Sequence, residues 1–252
     1  MQDFVAFDLE TTAIPEGDDR RSCRPLGISC AATLDSQTGV MQLWHGAEQD
    51  DGRLAERMTP RECEGLVEYL IDAARWDKPT VTWNGLGFDF DILQEETSAI
   101  SRDMVHVLAY YDHIDIAFQM LCQHGFMCGL SATAKGMGLA GKLAGMSGAQ
   151  APVLWAGSRD DQNRVLEYVA QDVRTTAELY RAACSDDHVL RWVSRSNRLR
   201  TWAPRLDSEG ERLLTVSECL DLPEPETTLP DPWPRSKFAG WLKLSEMPGG
   251  AP

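Results

Sequence analysis

The sequence predicts an α/β fold: a mixed β-sheet flanked by helices, followed by an irregular C-terminal tail. Three observations lead there. Three apolar, strand-like runs precede the first helical pattern. Strand-like and helix-like segments then alternate up to about residue 184, an order that indicates a mixed sheet covered by helices. From Ser185 onward the composition changes to arginine, tryptophan and proline.

The elements follow in order. "FVAFDLE", "PLGISCAATLD" and "GVMQLWHG" read as three strands of a meander, the last two joined through the turn-rich "DSQTG". "TPRECEGLVEYLIDAARW" reads as a helix: Thr59 suits the N-cap, Pro60 the first helical position, and Glu62 completes a capping box. Its apolar stripe is Leu66, Val67, Leu70 and Ile71. "PTVTW" is a short strand broken at Asn84-Gly85, and "FDFDILQEE" opens a helix. "HIDIAFQMLCQHG" runs from a short strand into a helix, "LSATAKGMGLAGK" is a Gly-punctuated helix and loop, and "DDQNRVLEYVAQDVRTTAELYRAAC" is one long helix. Residues 1–184 form the expected domain, and residues 185–252 an Arg/Trp/Pro-rich extension that wraps it.

The chain has 252 residues, 43% hydrophobic and 25% charged, enough for one α/β domain with a large core. It has no apolar run of membrane-spanning length and no signal-peptide pattern at the N-terminus. Seven dispersed cysteines without a C-x-x-C read as reduced thiols, which points to a cytoplasmic protein. Cys122, His124 and Cys128 lack a fourth zinc ligand and read as packing residues. A net charge of −15 argues against a tight, non-specific nucleic-acid binder, but not against an enzyme that touches nucleic acid locally.

The chemistry begins at Asp8 and Glu10. Residues i and i+2 of a strand share a face, so two carboxylates stand side by side. Alone, the pair could be a hydrated strand end. Asp89 lies near a helix start, where it could equally serve the helix dipole. Two residues on, Asp91 is turned away by the helical period and is expected to face solvent. Tyr168 and Asp172 are at i and i+4 on the face that continues through Val165 and Val169, the expected core side of the long helix. A buried acid there needs compensation. Four carboxylates converging at one sheet edge would be unfavourable without cations. With two divalent ions they would form a hydrolytic centre for phosphoryl displacement, and hard oxygen ligands favour Mg²⁺ or Mn²⁺.

"FDLETT", "NGLGFD" and "YVAQD", in this order, resemble the three motifs of the DEDD 3′–5′ exonucleases, over roughly Asp3 to Cys184. Tyr168 stands four residues before the last Asp, as in the tyrosine branch. That branch includes ribonuclease D and the proofreading domains of DNA polymerases. "WNGLGFD" is most similar to the proofreading domain of family B polymerases and its stand-alone relatives, with Asp91 where those often carry Pro. The resemblance implies a ribonuclease H-like fold and two Mg²⁺ or Mn²⁺ ions. Asp8 would bridge both ions, Glu10 and Asp172 would complete one site, and Asp89 would hold the other partly through water. Tyr168 would orient the attacking water. The resemblance also implies that Leu9, Thr11, Asn84 and Phe88 contact the terminal nucleotide, although Phe88 also suits a core position. The expected product is a nucleoside 5′-monophosphate, released from single-stranded DNA 3′ ends. Any proofreading would act in trans, beside a replication or repair protein.

Weaker candidates are Lys135 and Lys142 for phosphate, and Asp115 in "HIDI" as an acid behind the site. Arg191, Arg195, Arg198, Arg200 and Arg205, with Trp192 and Trp202, could form a strand-binding edge or simply a basic, packed tail. Trp233 and Trp241 read as packing anchors. Two other functions remain open. A ribonuclease D-like exoribonuclease would use the same residues on RNA, and a catalytically silent module would only bind nucleic acid or protein.

Overall fold

Five strands form the central sheet in the order β3-β2-β1-β4-β5. They are β1 (Val5–Thr11), β2 (Ile28–Asp35), β3 (Met41–His45), β4 (Thr80–Thr82) and β5 (His113–Asp115). β1, β2 and β3 pair antiparallel as the expected meander, while β4 and β5 run parallel to β1. The computed structural model describes residues 1–14, 24–141, 146–227 and 230–243.

β1 is the central strand, apolar on both faces except toward its end. Its two faces feed two cores. Val5, Phe7 and Leu9 pack with α1 (Pro60–Arg75), α2 (Asp89–Glu96) and α3 (Ala99–Tyr111). Phe4 and Ala6 pack with α7 (Arg159–Ala183), beside α6 (Ala151–Trp155). Each fully buried Leu or Phe contributes roughly 1.5–3 kcal/mol, so the sheet is held by helices on both sides.

α1 starts at the expected capping box. The Thr59 hydroxyl accepts from the Glu62 N–H at 3.3 Å, and the Glu62 carboxylate accepts from the Thr59 N–H at 2.7 Å. β5 leads into α4 (Ile116–His124), and α5 (Leu130–Met137) ends at Gly138. α3 was not anticipated. Ser98 caps it without a side-chain hydrogen bond, so the usual start signal is weak.

Among its described residues the tail is mostly irregular but carries local order. β6 (Leu190–Val193) and β7 (Leu199–Trp202) form a hairpin, and α8 (Val216–Leu220) and α9 (Ser236–Ala239) are short helices. Leu214, Val216, Cys219, Phe238 and Trp241 join the same core as Phe7 and Phe90, so the extension completes the domain's interior. Arg235 fastens it through the carbonyls of Leu220, Leu222, Cys122 and Pro223. Trp241 is a buried anchor as expected. Trp233 is not: it is 44% exposed, with the Lys237 ammonium 4.5 Å above its ring. Among the described residues, no helix is long and apolar enough to cross a membrane.

Candidate active site

The site forms where β4 stops before β1 does. Val5 and Ala6 pair with Thr80 and Val81, and β4 ends at Thr82, while β1 continues to Thr11. Beyond that point the β1 backbone needs another partner on the β4 side, because a buried N–H left unpaired is costly. Asp89 supplies it: its Oδ1 accepts from the Leu9 N–H at 2.9 Å. This fixes Asp89 between Asp8 and Glu10 in chain position, although it lies 80 residues away.

The turn before Asp89 is tied down by side chains. Asn84 is left-handed at φ 68°, and the Gly85 N–H donates to the Thr82 hydroxyl at 3.0 Å. Asp115 accepts from the N–H groups of Asn84 at 2.8 Å, Leu86 at 2.9 Å and Phe118 at 3.0 Å. One carboxylate thus caps α4 and clamps the turn. Burial pushes Asp115 up to about 6, against those N–H bonds. From the tail, the Trp241 indole N–H donates to the Leu86 carbonyl at 2.7 Å.

Asp8 and Glu10 share the face of Phe4 and Ala6, which looks toward α7. α7 runs back along β1. Tyr180 packs on Phe4 with ring centroids 4.6 Å apart, which brings the Tyr168–Asp172 segment to the acidic end of the strand. Tyr168 and Asp172 are 1% and 5% exposed, flanked by the fully buried Val165 and Val169, as the helical period required. Burial raises the Tyr168 phenol far above its ordinary value, and the charges of Asp172, Glu10 and Asp8 raise it further. Asp89 is also raised, mainly by burial, with the Asp115 charge adding to it and the Leu9 N–H opposing it. It shares a side-chain hydrogen bond with Asp8.

The remaining predicted residues fall on different sides of this arrangement. Leu9 is buried on the opposite face, where it offers the site its backbone N–H. Thr11 is buried and donates to the Ala13 carbonyl at 2.8 Å. Phe88 is half-buried against the core at the N-cap of α2. Asn84 Oδ1 is buried and has no hydrogen-bond partner among the described residues. Lys135 is exposed on α5, and Lys142 lies outside the described residues.

Asp91 corrects an expectation. It is 4% exposed rather than solvent-facing, because the segment before β2 lays Arg24 onto it at 3.0 Å. The helical period does turn it from Asp89, but toward a buried cation.

Sequence reading underrated Asp115 and did not anticipate the Leu86 contact of Trp241. The signal for Asp115 was present: an acid between a short strand and an apolar helix is an N-cap. A contact spanning 155 residues leaves no local signal.

The expected ligands Asp8, Glu10, Asp89 and Asp172 carry oxygen donors only, the chemistry that suits a hard divalent cation. Among the described residues, no three His, Cys, Asp or Glu side chains are already gathered to hold a metal ion. A mixed sheet with its acidic strand end facing a helix is a nuclease-type fold. Residues 5–184 match a family model described as the RNase H superfamily, and the chain belongs to that superfamily. Nucleases of this kind generally use divalent metals and act on nucleic acid. No curated protein matches the chain at a significant level.

Proposed function

We propose that this chain is a metal-dependent 3′–5′ exonuclease of the tyrosine DEDD branch, releasing nucleoside 5′-monophosphates from single-stranded DNA ends. The observation that carries the reading is the bond from the Leu9 N–H to Asp89 Oδ1. It draws the second motif onto the first, on a strand whose acids face Tyr168 and Asp172.

When bound, a pair of divalent cations would clamp the attacking and leaving oxygens of the scissile phosphate. Asp8, Glu10 and Asp172 would hold the ion on the α7 side, and Asp8 and Asp89 the other. The Tyr168 phenol stays protonated at any working pH, because its surroundings raise it. It therefore does not act as a base; with its hydroxyl hydrogen given to Asp172, its oxygen would orient water beside that carboxylate. Asn84 Oδ1 offers a buried acceptor at the turn where the terminal nucleotide would lie.

The test uses 5′-labelled single-stranded DNA and RNA of one sequence, with Mg²⁺, Mn²⁺ or EDTA, beside Asp8→Asn. Metal-dependent shortening from the 3′ end, lost in the variant, supports the reading. Faster shortening of RNA moves the substrate to the ribonuclease D type. No shortening of either strand by the wild type defeats the catalytic reading.

A further inference from the structure

The β6–β7 hairpin lies outside the segment that matches the superfamily, and its charge opposes that of the whole chain. Between Arg191 and Arg205 there are five arginines and no acid, in a protein of net charge −15. The pairing register organises them. Trp192 lies opposite Arg200, and the Ser194 N–H donates to the Arg198 carbonyl at 2.9 Å. Arg198, Arg200 and Trp192 therefore share one face of the ribbon, with Arg195 at its tip. Arg195, Arg198 and Arg200 are exposed, and none of their side chains is in an ion pair among the described residues.

The base of the hairpin is fixed. Leu190 and Trp202 are buried, and the Arg191 N–H donates to Met137 Sδ at 3.1 Å. A Cβ at Gly136 would land on the Arg191 carbonyl, so α5 and β6 touch through backbone. α5 also reaches the candidate site. Just before its start, the Cys128 carbonyl accepts from the Trp83 indole at 3.1 Å, and Trp83 adjoins Asn84. α5 thus connects the base of the ribbon to the segment beside Trp83, on the side of the turn that carries Asn84.

We infer that the β6–β7 ribbon is the strand-guiding element of this protein. It binds the phosphates of single-stranded nucleic acid upstream of the end held at Asp8 and Asp89 through Arg195, Arg198 and Arg200, while Trp192, half-buried and 6.1 Å from the Phe126 ring, fixes the ribbon to the domain. The inference rests on the nuclease reading for its direction. It gives the acidic domain a local electrostatic handle on a polyanion.

The test compares the full-length wild type with Arg195→Ala/Arg198→Ala/Arg200→Ala and with the corresponding triple Lys variant. Anisotropy of a labelled 20-nucleotide single strand is followed in EDTA across a salt series. The Ala variant is expected to bind at least tenfold more weakly at low salt. Its log K against log salt should be shallower by about 2, from about 0.7 per phosphate contact. The Lys variant should restore the slope, which separates lost charge from lost fold. Cleavage of a dinucleotide in Mn²⁺, too short to reach the ribbon, should be unchanged in all three. Equal affinity and slope in wild type and Ala variant overturn the inference, even if both cleave. Ribbon-dependent binding without cleavage by the wild type would instead sink the nuclease reading and leave the ribbon standing.

Discussion

The Trp241 indole N–H donates to the Leu86 carbonyl at 2.7 Å, joining the last helical stretch of the extension to the turn that presents Asp89. Phe238, three residues before Trp241, lies against Gly87 in the same turn. The extension is therefore part of the wall behind the candidate site.

Replacing Trp241 tests that wall. Trp241→Phe keeps a ring but leaves the Leu86 carbonyl unpaired, a cost of about 1–3 kcal/mol. Trp241→Ala also empties the pocket, about 3–5 kcal/mol. Urea unfolding should rank wild type above Phe above Ala. A Trp241→Ala protein as stable as wild type would show that the contact contributes little.

Asp89 separates structure from chemistry. Asp89→Asn keeps an oxygen for the Leu9 N–H, whereas Asp89→Ala orphans a buried donor at about 1–3 kcal/mol. Both should lose 3′-end cleavage, because each removes a carboxylate proposed to hold a cation. Thermal unfolding should show the Asn variant close to wild type and the Ala variant clearly below it. Recovery of cleavage by either variant in Mg²⁺ would remove Asp89 from the proposed ligand set.

Metal should stabilise the fold. If Asp8, Glu10, Asp89 and Asp172 hold the proposed cations, a cation that binds only the native state raises stability by RT ln(1 + [L]/Kd), about 2.7 kcal/mol at a hundredfold excess over Kd. Wild type should melt higher in Mn²⁺ than in EDTA. Asp8→Asn should melt alike in both, and in EDTA at or above wild type, because one repulsion is gone. An identical Mn²⁺ shift in both proteins would place the ion elsewhere.

His113 should give the fold an acid limit. Burial depresses it from an ordinary 6.5 to about 3. Between those values the unfolded chain takes up a proton that the native chain refuses. Stability is thus complete above about 6.5 and falls as pH drops toward 3, by up to about 1.4 kcal/mol per pH unit. Its Nε2 stands 2.7 Å from the Thr82 hydroxyl, which also holds the Gly85 N–H, so the loss is felt at the site turn. Urea midpoints from pH 8 to 4 should show this slope in wild type and a shallower one in His113→Gln.

Much of this was legible locally. The Thr59–Glu62 capping box, the meander and the burial of Tyr168 and Asp172 follow from short-range pattern and the 3.6 period. The candidate acids were legible because strand parity and helix period place them on facing sides. What escaped depends on distant partners. Asp91 is buried because Arg24 reaches it, and no spacing in "FDFDIL" encodes Arg24. The hairpin was read only as a basic stretch, although Leu190, Trp192, Arg200 and Trp202 alternate around a turn at Asn197, which is left-handed at φ 55°. Repeated arginine masked the period of two.

The early end of β4 has a consequence for how this protein can vary. The six residues 83–88 bridge Thr82 and Asp89, and that length decides whether a carboxylate or a peptide group meets the Leu9 N–H. A surface turn ordinarily tolerates insertion, but this one acts as a ruler. One residue fewer would draw the helix start past the notch, and one more would let the chain zip onto β1 as ordinary sheet. The span should therefore hold its length across natural variants more strictly than its composition, and an engineer extending it would lose the gap in the sheet before losing the fold.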